Sequence, residues 1–572
     1  MKKIIAVVLS VIIVLSSLAV VSFAADDGAM TFAVAADLHY NDTRTEEFEV
    51  YTPDSELFWY ANRRAQLEDE SGFIIDEFLR QCAENDDVEF VLLAGDLVDD
   101  GKAIQDQHYG VAAKLSAFEE STGKQVYVIN GNHDAGINED CATTFDEFKS
   151  IYHEFGYAEA LETIEGDCSY TADVSDKYRL IALDSCHDTA STEDGMTVEQ
   201  IQWVVDQAEK AKKDGKYPIL MMHHNLLDHL PIQRIISRNF IVKYHYTTAT
   251  LFADAGIKLV FSGHEHCSDV ADYTTPAGNT IYDFATTSLT MYPLEYRLIT
   301  CADDKITYEA KAVEDIDTDA LNAASGYQYS EAQLAAMEAG MNDYAYGYLR
   351  TGIQYRLELS LTMEKMGIKE TDIYYGLVNT AVTRLTDLLD APLYGENSVQ
   401  EKAKGYNLVI PDSDYENLWD LAMTLLSMHY AGEENFDLYS TEVTILLRSV
   451  AMILKDVLAG TEDDLLFAWA EDYVKSKGGE GLATEVAKLC AQTFGGVTPV
   501  EYALCAVASP IIYEFAYDSD GVNDNNGTLD GYAVEKDMNL IESIVAWFKS
   551  LIAKAELYLR MFFEIFTKTN FI

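Results

Sequence analysis

Hydrophobic positions divide the chain into two halves of different period. Between residues 31 and 312, short runs rich in Val, Ile, Leu and Phe alternate with longer stretches of helical period. The runs that predict strands are 31–36, 88–94, 125–130, 178–184, 217–222, 258–262, 280–285, 295–301 and 305–311. Several are almost continuously apolar, as strands covered on both faces must be. Helical patterns fall at 57–84, 103–121, 143–155, 197–213 and 247–255. Alternation of this kind predicts an α/β domain over residues 25–313. From 314 the pattern changes. Residues 315–322 read as a linker, and helix-period stretches follow at 330–366, 370–390, 413–430, 440–459, 462–476, 482–493 and 498–515. This predicts an all-α domain over 314–516. An acidic, Asn- and Gly-rich stretch at 517–536 reads as a flexible linker. Its EF-hand register fails, because with Asp518 first, Val522 and Asn523 fall where an Asp or Asn and a Gly are needed. The chain closes on an amphipathic helix, residues 537–572.

Composition narrows the class. At 572 residues the chain is too long for one core. Its apolar content of 48% excludes global disorder. A formal charge of −56 leaves no basic footprint for a nucleic acid polymer. The start, Met1-Lys2-Lys3 followed by an apolar run and Ser22-Phe23-Ala24, has the parts of a secretory signal over residues 1–24, so an extracytoplasmic or secreted location is expected. The eight cysteines form no CxxC pair, and several lie in apolar runs where a buried thiol is expected. The closing helix carries Lys549, Lys554, Arg560 and Lys568 beside Trp547, Phe548, Leu551 and Ile552. Docking onto the helical domain is its simplest role; contact with a membrane or partner is the sharper one.

The chemistry lies at strand ends. The first strand ends at Asp37-Leu38-His39, and the second at Gly95-Asp96-Leu97-Val98-Asp99. The third ends at Gly131-Asn132-His133-Asp134, the run at 217–222 at His223-His224-Asn225, and the run at 258–262 at Gly263-His264-Glu265-His266. Alone, Asp37-x-His39 is common by chance, Gly95-Asp96 and Gly131-Asn132-His133-Asp134 read as polar turns, His223-His224 reads as one core and one surface imidazole, and His264-x-His266 is moderately specific; five in series, each following a strand, are not chance. The i, i+2 spacing of Asp37/His39 and of His264/His266 places each pair on one face if the backbone is extended. Carboxylate, imidazole and amide oxygen together suit Mn, Fe, Zn, Ni or Co, and there are enough ligands for two ions. Two such ions can clamp the attacking and leaving oxygens of an in-line displacement.

This series resembles the calcineurin-like metallophosphoesterases over roughly residues 31–290. The resemblance implies two mixed β-sheets sandwiched and flanked by helices, with a dinuclear centre at one end. It implies that Asp37, His39 and His266 hold one divalent ion and Asn132, His223 and His264 the other, with Asp96 bridging. His223 is preferred to the adjacent His224. A hydroxide activated by the metals would be the nucleophile. His133 would be the acid or transition-state stabiliser, with Asp99 orienting it. Asp99 stands where purple acid phosphatases carry a Tyr, and Asp100 where protein Ser/Thr phosphatases carry an Arg. What remains is similar to exported phosphatases or phosphodiesterases of small or lipid-derived esters. Candidates for substrate contact are Tyr40, Arg44 and Tyr51 after the first motif, and His229, Arg234, Arg238, Tyr244 and His245 after the fourth. The alternative is an exported binding or attachment protein whose phosphoesterase domain is a relic.

Overall fold

The computed structural model describes residues 29–41, 64–137, 141–186, 196–229, 233, 239–325, 329–372, 375–459, 463–516, 522–532, 551, 552 and 555. The expected signal segment, and nearly all of the closing helix, lie outside the described residues. No described helix is long and apolar enough to cross a membrane.

Two mixed sheets face each other. The first contains β1 (Met30–Ala35), β2 (Val88–Ala94), β3 (Gln125–Ile129), β11 (Glu295–Cys301), β12 (Lys305–Ala312) and β13 (Asn526–Asp530), in the order β13-β12-β11-β1-β2-β3. The second runs β4-β5-β6-β7-β8-β10-β9, where β4 is Glu162–Thr163, β5 Tyr170–Asp173, β6 Tyr178–Leu183, β7 Tyr217–Met222, β8 Leu259–Ser262, β9 Asp269–Thr274 and β10 Thr280–Ala285. Strands β1, β2 and β3 are mutually parallel, and so are β6, β7, β8 and β10. Parallel register sends the ends of β1, β2 and β3 to one edge of their sheet, and those of β7 and β8 to one edge of theirs. All nine predicted strands form. The short strands β4 and β5 and the edge strand β9 go unpredicted; in β9, polar residues such as Asp269, Asp272 and Thr274 break the apolar run.

Between the sheets lies one aromatic-rich core. Phe32 of β1 stacks on Phe90 of β2 at 4.9 Å and meets Phe261 of β8 edge-on at 5.5 Å. All three rings are buried. Helices α1 (Ser71–Glu84), α2 (Asp106–Thr122), α3 (Phe145–Ile151), α4 (Val198–Lys213) and α5 (His245–Ala255) flank the sandwich. α3 and α4 begin with capping boxes, Thr144 with Glu147 and Thr197 with Gln200, which satisfy otherwise orphaned amides.

The second half is helical, from Thr318–Ala324 to Pro499–Ala516, with its own core of Leu421, Ile445, Leu447 and Ala451. Two linker expectations are corrected. Asp317 accepts a bond from Ala320 N at 2.9 Å and caps a helix where residues 315–322 read as a linker. Within the acidic stretch read as flexible, Asn526–Asp530 returns to the sandwich as β13, antiparallel to β12. Backbone pairing to an open edge needs no apolar run; Leu529 alone of β13 joins the core. The return is anchored on both sides. Tyr532 stacks on Tyr217 at 4.8 Å and donates to Pro218 O, while fully buried Arg297 donates to Asp524 O. Asn525 donates to Ala431 O at 2.9 Å, so the same segment also holds the end of helix Leu418–Ala431. The expected helix 330–366 divides at a glycine: Gly340, at φ 154°, separates Glu331–Ala339 from Met341–Ser360.

Candidate metal centre

The five strand-end clusters meet at one place. His39 Nε2, His266 Nε2 and Asp37 Oδ1 lie within 3.7 Å of one another, with the two imidazole nitrogens 3.2 Å apart. Beside them, His223 Nε2 is 3.2 Å from Asp96 Oδ2 and 3.1 Å from Asn132 Oδ1. Asp96, His223 and His264 form one group with metal-ligand spacing, and Asp37, His39 and His266 another. Asp96 Oδ2 is also 3.9 Å from His39 Nε2, so its carboxylate stands between the two groups. Every residue expected as a metal ligand is therefore brought into one cluster. His224 instead faces Ser185 Oγ through Nδ1 at 3.0 Å, while His223 enters the cluster.

The backbone brings the groups together differently from the extended geometry expected of i, i+2 pairs. Asp37, His39, Asp96, His264 and His266 all have positive φ, between 42° and 69°. For residues other than glycine each such conformation costs about 1–3 kcal/mol and persists where surrounding contacts over-determine it. Those contacts are present. Asp37 N donates to Gly95 O and His39 N to Asp96 O, both at 3.0 Å. His264 N donates to Asp37 Oδ2 at 2.8 Å, Ser288 Oγ to Asp37 O at 2.7 Å, and His133 N to Asp96 Oδ1 at 2.7 Å. Asp134 ties the β2 and β3 turns together, accepting from Gly131 N at 2.7 Å and Val98 N at 3.1 Å. Gln233 links the last two ligand loops, donating to Asn225 Oδ1 and Glu265 Oε2.

Hydrogen bonding sets the imidazoles' tautomers. A carbonyl only accepts, so His223 Nδ1, 2.9 Å from Ala94 O, carries hydrogen and leaves Nε2 as the ligand atom. His133 Nδ1 likewise donates to Asp99 O at 2.6 Å. This refines the expected role of Asp99: it holds His133 through its backbone carbonyl, and its carboxylate turns elsewhere. Asp99 Oδ1 is 3.3 Å from His39 Nδ1 and 2.6 Å from Arg64 Nη2.

The cluster fits divalent cations. His264 Nε2 is buried without a hydrogen-bond partner among the described residues, an expensive state unless another ligand satisfies it. Burial alone would raise the Asp96 carboxyl, but the imidazoles of His223 and His133 outweigh it and hold it well below the usual carboxylate range. Burial pulls His39 down to about 4, leaving its imidazole neutral at pH 7, as metal ligation requires. His223 is raised to about 10 because Asp96 and Asp37 outweigh its burial. An imidazolium there occupies the position of a cation, and an ion of higher charge bound to Nε2 would displace that proton.

The substrate-loop candidates divide. Arg44, Tyr51, Arg234 and Arg238 lie outside the described residues. Tyr40 is buried with Lys114 over its ring, and buried His229 pairs with Asp269 and with Asp283 at 3.2 Å; both are structural. His245 is buried beside Asp228 at 3.3 Å. Tyr244 is about half exposed. Sequence reasoning overlooked Arg64, Ser288 and Asp134. Only Asp134 carried a signal, as the last residue of the third strand-end cluster.

Residues 30–268 match the family model of calcineurin-like phosphoesterases. Among solved structures, a dimetal phosphatase from Danio rerio is similar at 12% identity, with 50% of this chain and 96% of that chain covered and a TM-score of 0.34. No curated protein matches the chain.

Proposed function

We propose that this protein hydrolyses phosphate mono- or diesters outside the cytoplasm, using two divalent ions, with a small or lipid-derived ester as substrate. The observation that carries the reading is the carboxylate of Asp96 standing between two ligand groups, Asp37/His39/His266 and His223/His264 with Asn132, beside the imidazole of His133. Ions held by these groups would polarise a phosphoryl oxygen and lower the pKa of water.

The chain's own residues do the rest. His133, fixed through Nδ1, has Nε2 left to face a leaving oxygen, and in its doubly protonated form it gives the Nε2 proton to that oxygen while Nδ1 keeps its own. Its ring packs edge-on to His39 at 5.0 Å, so the proton donor is held rigidly against a metal ligand. Asp37 and Asp96 each spend one carboxylate oxygen on a neighbouring loop's amide, which fixes the direction of the other. The extracytoplasmic location rests on the N-terminal segment.

The test is metal content and turnover of p-nitrophenyl phosphate and bis-p-nitrophenyl phosphate after reconstitution with Mn, Fe, Zn, Co and Ni in turn. Two bound ions per chain and hydrolysis of at least one ester are expected. Absence of both with every metal overturns the reading and leaves the relic binding protein.

A further inference from the structure

Arg64 lies outside every motif of the metal cluster, yet it is fastened to it. Its guanidinium grips the Asp99 carboxylate at both oxygens, Nη2 to Oδ1 at 2.6 Å and Nη1 to Oδ2 at 3.4 Å. Asp99 is the residue on which the catalytic groups converge. Its Oδ1 also lies 3.3 Å from His39 Nδ1, and its carbonyl oxygen receives His133 Nδ1. His39, Asp99 and His133 together present ligand-type atoms within 4.8 Å of one another. Among the described residues, Arg64 is the one Lys or Arg that forms an ion pair with Asp37, Asp96 or Asp99.

The pair is asymmetric in exposure. The Asp99 side chain is 10% exposed and that of Arg64 36%. A guanidinium has five N–H donors, and the two bonds to Asp99 leave three. An ionised carboxylate at this point would repel an incoming phosphate; the bidentate cation cancels that charge and adds donors of the planar geometry that suits phosphate oxygens. The position directly after Asp99, Asp100, offers no cation.

We propose that Arg64, carried on Asp99, binds a non-reacting oxygen of the substrate phosphate beside His133. This rests on the phosphoester reading and extends it, by naming the residue that recognises the anionic group.

The experiment measures binding of inorganic phosphate to the Mn-loaded protein by calorimetry and, separately, its competitive inhibition of p-nitrophenyl phosphate turnover. The proteins are wild type, R64Q, R64K, D99N and the double variant R64Q/D99N, each checked for folding by circular dichroism and for metal content. Phosphate binding should weaken about tenfold or more in R64Q, the scale of one lost charge-assisted bond, and less in R64K. Metal content should be unchanged, and the R64Q loss should persist in the D99N background. Unchanged phosphate affinity in folded, metal-loaded R64Q overturns the proposal. So does a loss that vanishes in the D99N background, which would make Arg64 only a support for Asp99. A wild type that binds phosphate through Arg64 but turns over no ester sinks the hydrolase reading and leaves the anion site. Ester turnover with equal phosphate inhibition in wild type and R64Q sinks the anion site alone.

Discussion

D96N should lose at least about 10³-fold in turnover while keeping its fold, a loss on the scale of removing a group that acts as part of one catalytic unit. Asn preserves the shape of the side chain and still offers an oxygen to His133 N, which Asp96 Oδ1 now accepts at 2.7 Å. What it removes is the charge facing His223 Nε2 at 3.2 Å and His39 Nε2 at 3.9 Å, on the atom that stands between both ligand groups. A neutral amide oxygen is a weak bridge between two cations, so the measured bound metal should also fall below two ions per chain. Far-ultraviolet circular dichroism and the cooperativity of unfolding should be preserved, because the side chain's volume is unchanged. Full turnover in D96N would show that the cluster is not the catalytic centre.

G131A should damage the same centre from behind. A Cβ at Gly131 would stand 2.1 Å from Asp96 Oδ1 and 2.3 Å from Asp96 N. The clash involves backbone as well as side chain, so no rotamer relieves it. The β2 and β3 turns must move apart, although Asp134 binds both. Overpacking of this kind costs about 1–3 kcal/mol. A displacement near 1 Å of positioned groups costs on the order of 10²-fold in rate. The expected result is a lowered Tm together with a fall in kcat/KM of about that size, measured by thermal unfolding and by steady-state kinetics on the reconstituted protein. Wild-type kinetics in G131A would contradict the close approach of the two turns.

How much of this was legible in the sequence depends on what each element needed. The central strands were legible because burial on both faces demands unbroken apolar runs, as in Val91-Leu92-Leu93-Ala94. The ligands were legible because strand ends are marked by apolar runs that stop. β13 was not, since Asn-Gly-Thr-Leu-Asp pairs through its backbone and needs only Leu529 to face inward. The left-handed backbone at His39, His264 and His266 was equally hidden: it is imposed by tertiary bonds such as His39 N to Asp96 O, and their i, i+2 spacing suggested an extended chain instead. The division of Asp99 between a carbonyl for His133 and a carboxylate for Arg64 could not be seen before the fold was known. Arg64 sits in a stretch, 57–84, whose helical period absorbed it; the observed helix begins only at Ser71.

The proposed chemistry requires two ions that share Asp96. Crystals of the Mn-reconstituted protein, measured on the anomalous signal of manganese, test it most directly. Two anomalous peaks are expected roughly 3.5–4 Å apart, the separation of two-metal hydrolytic sites, with one against Asp37, His39 and His266, the other against Asn132, His223 and His264, and Asp96 touching both. A single peak, or peaks that leave Asp96 uncoordinated, would contradict it.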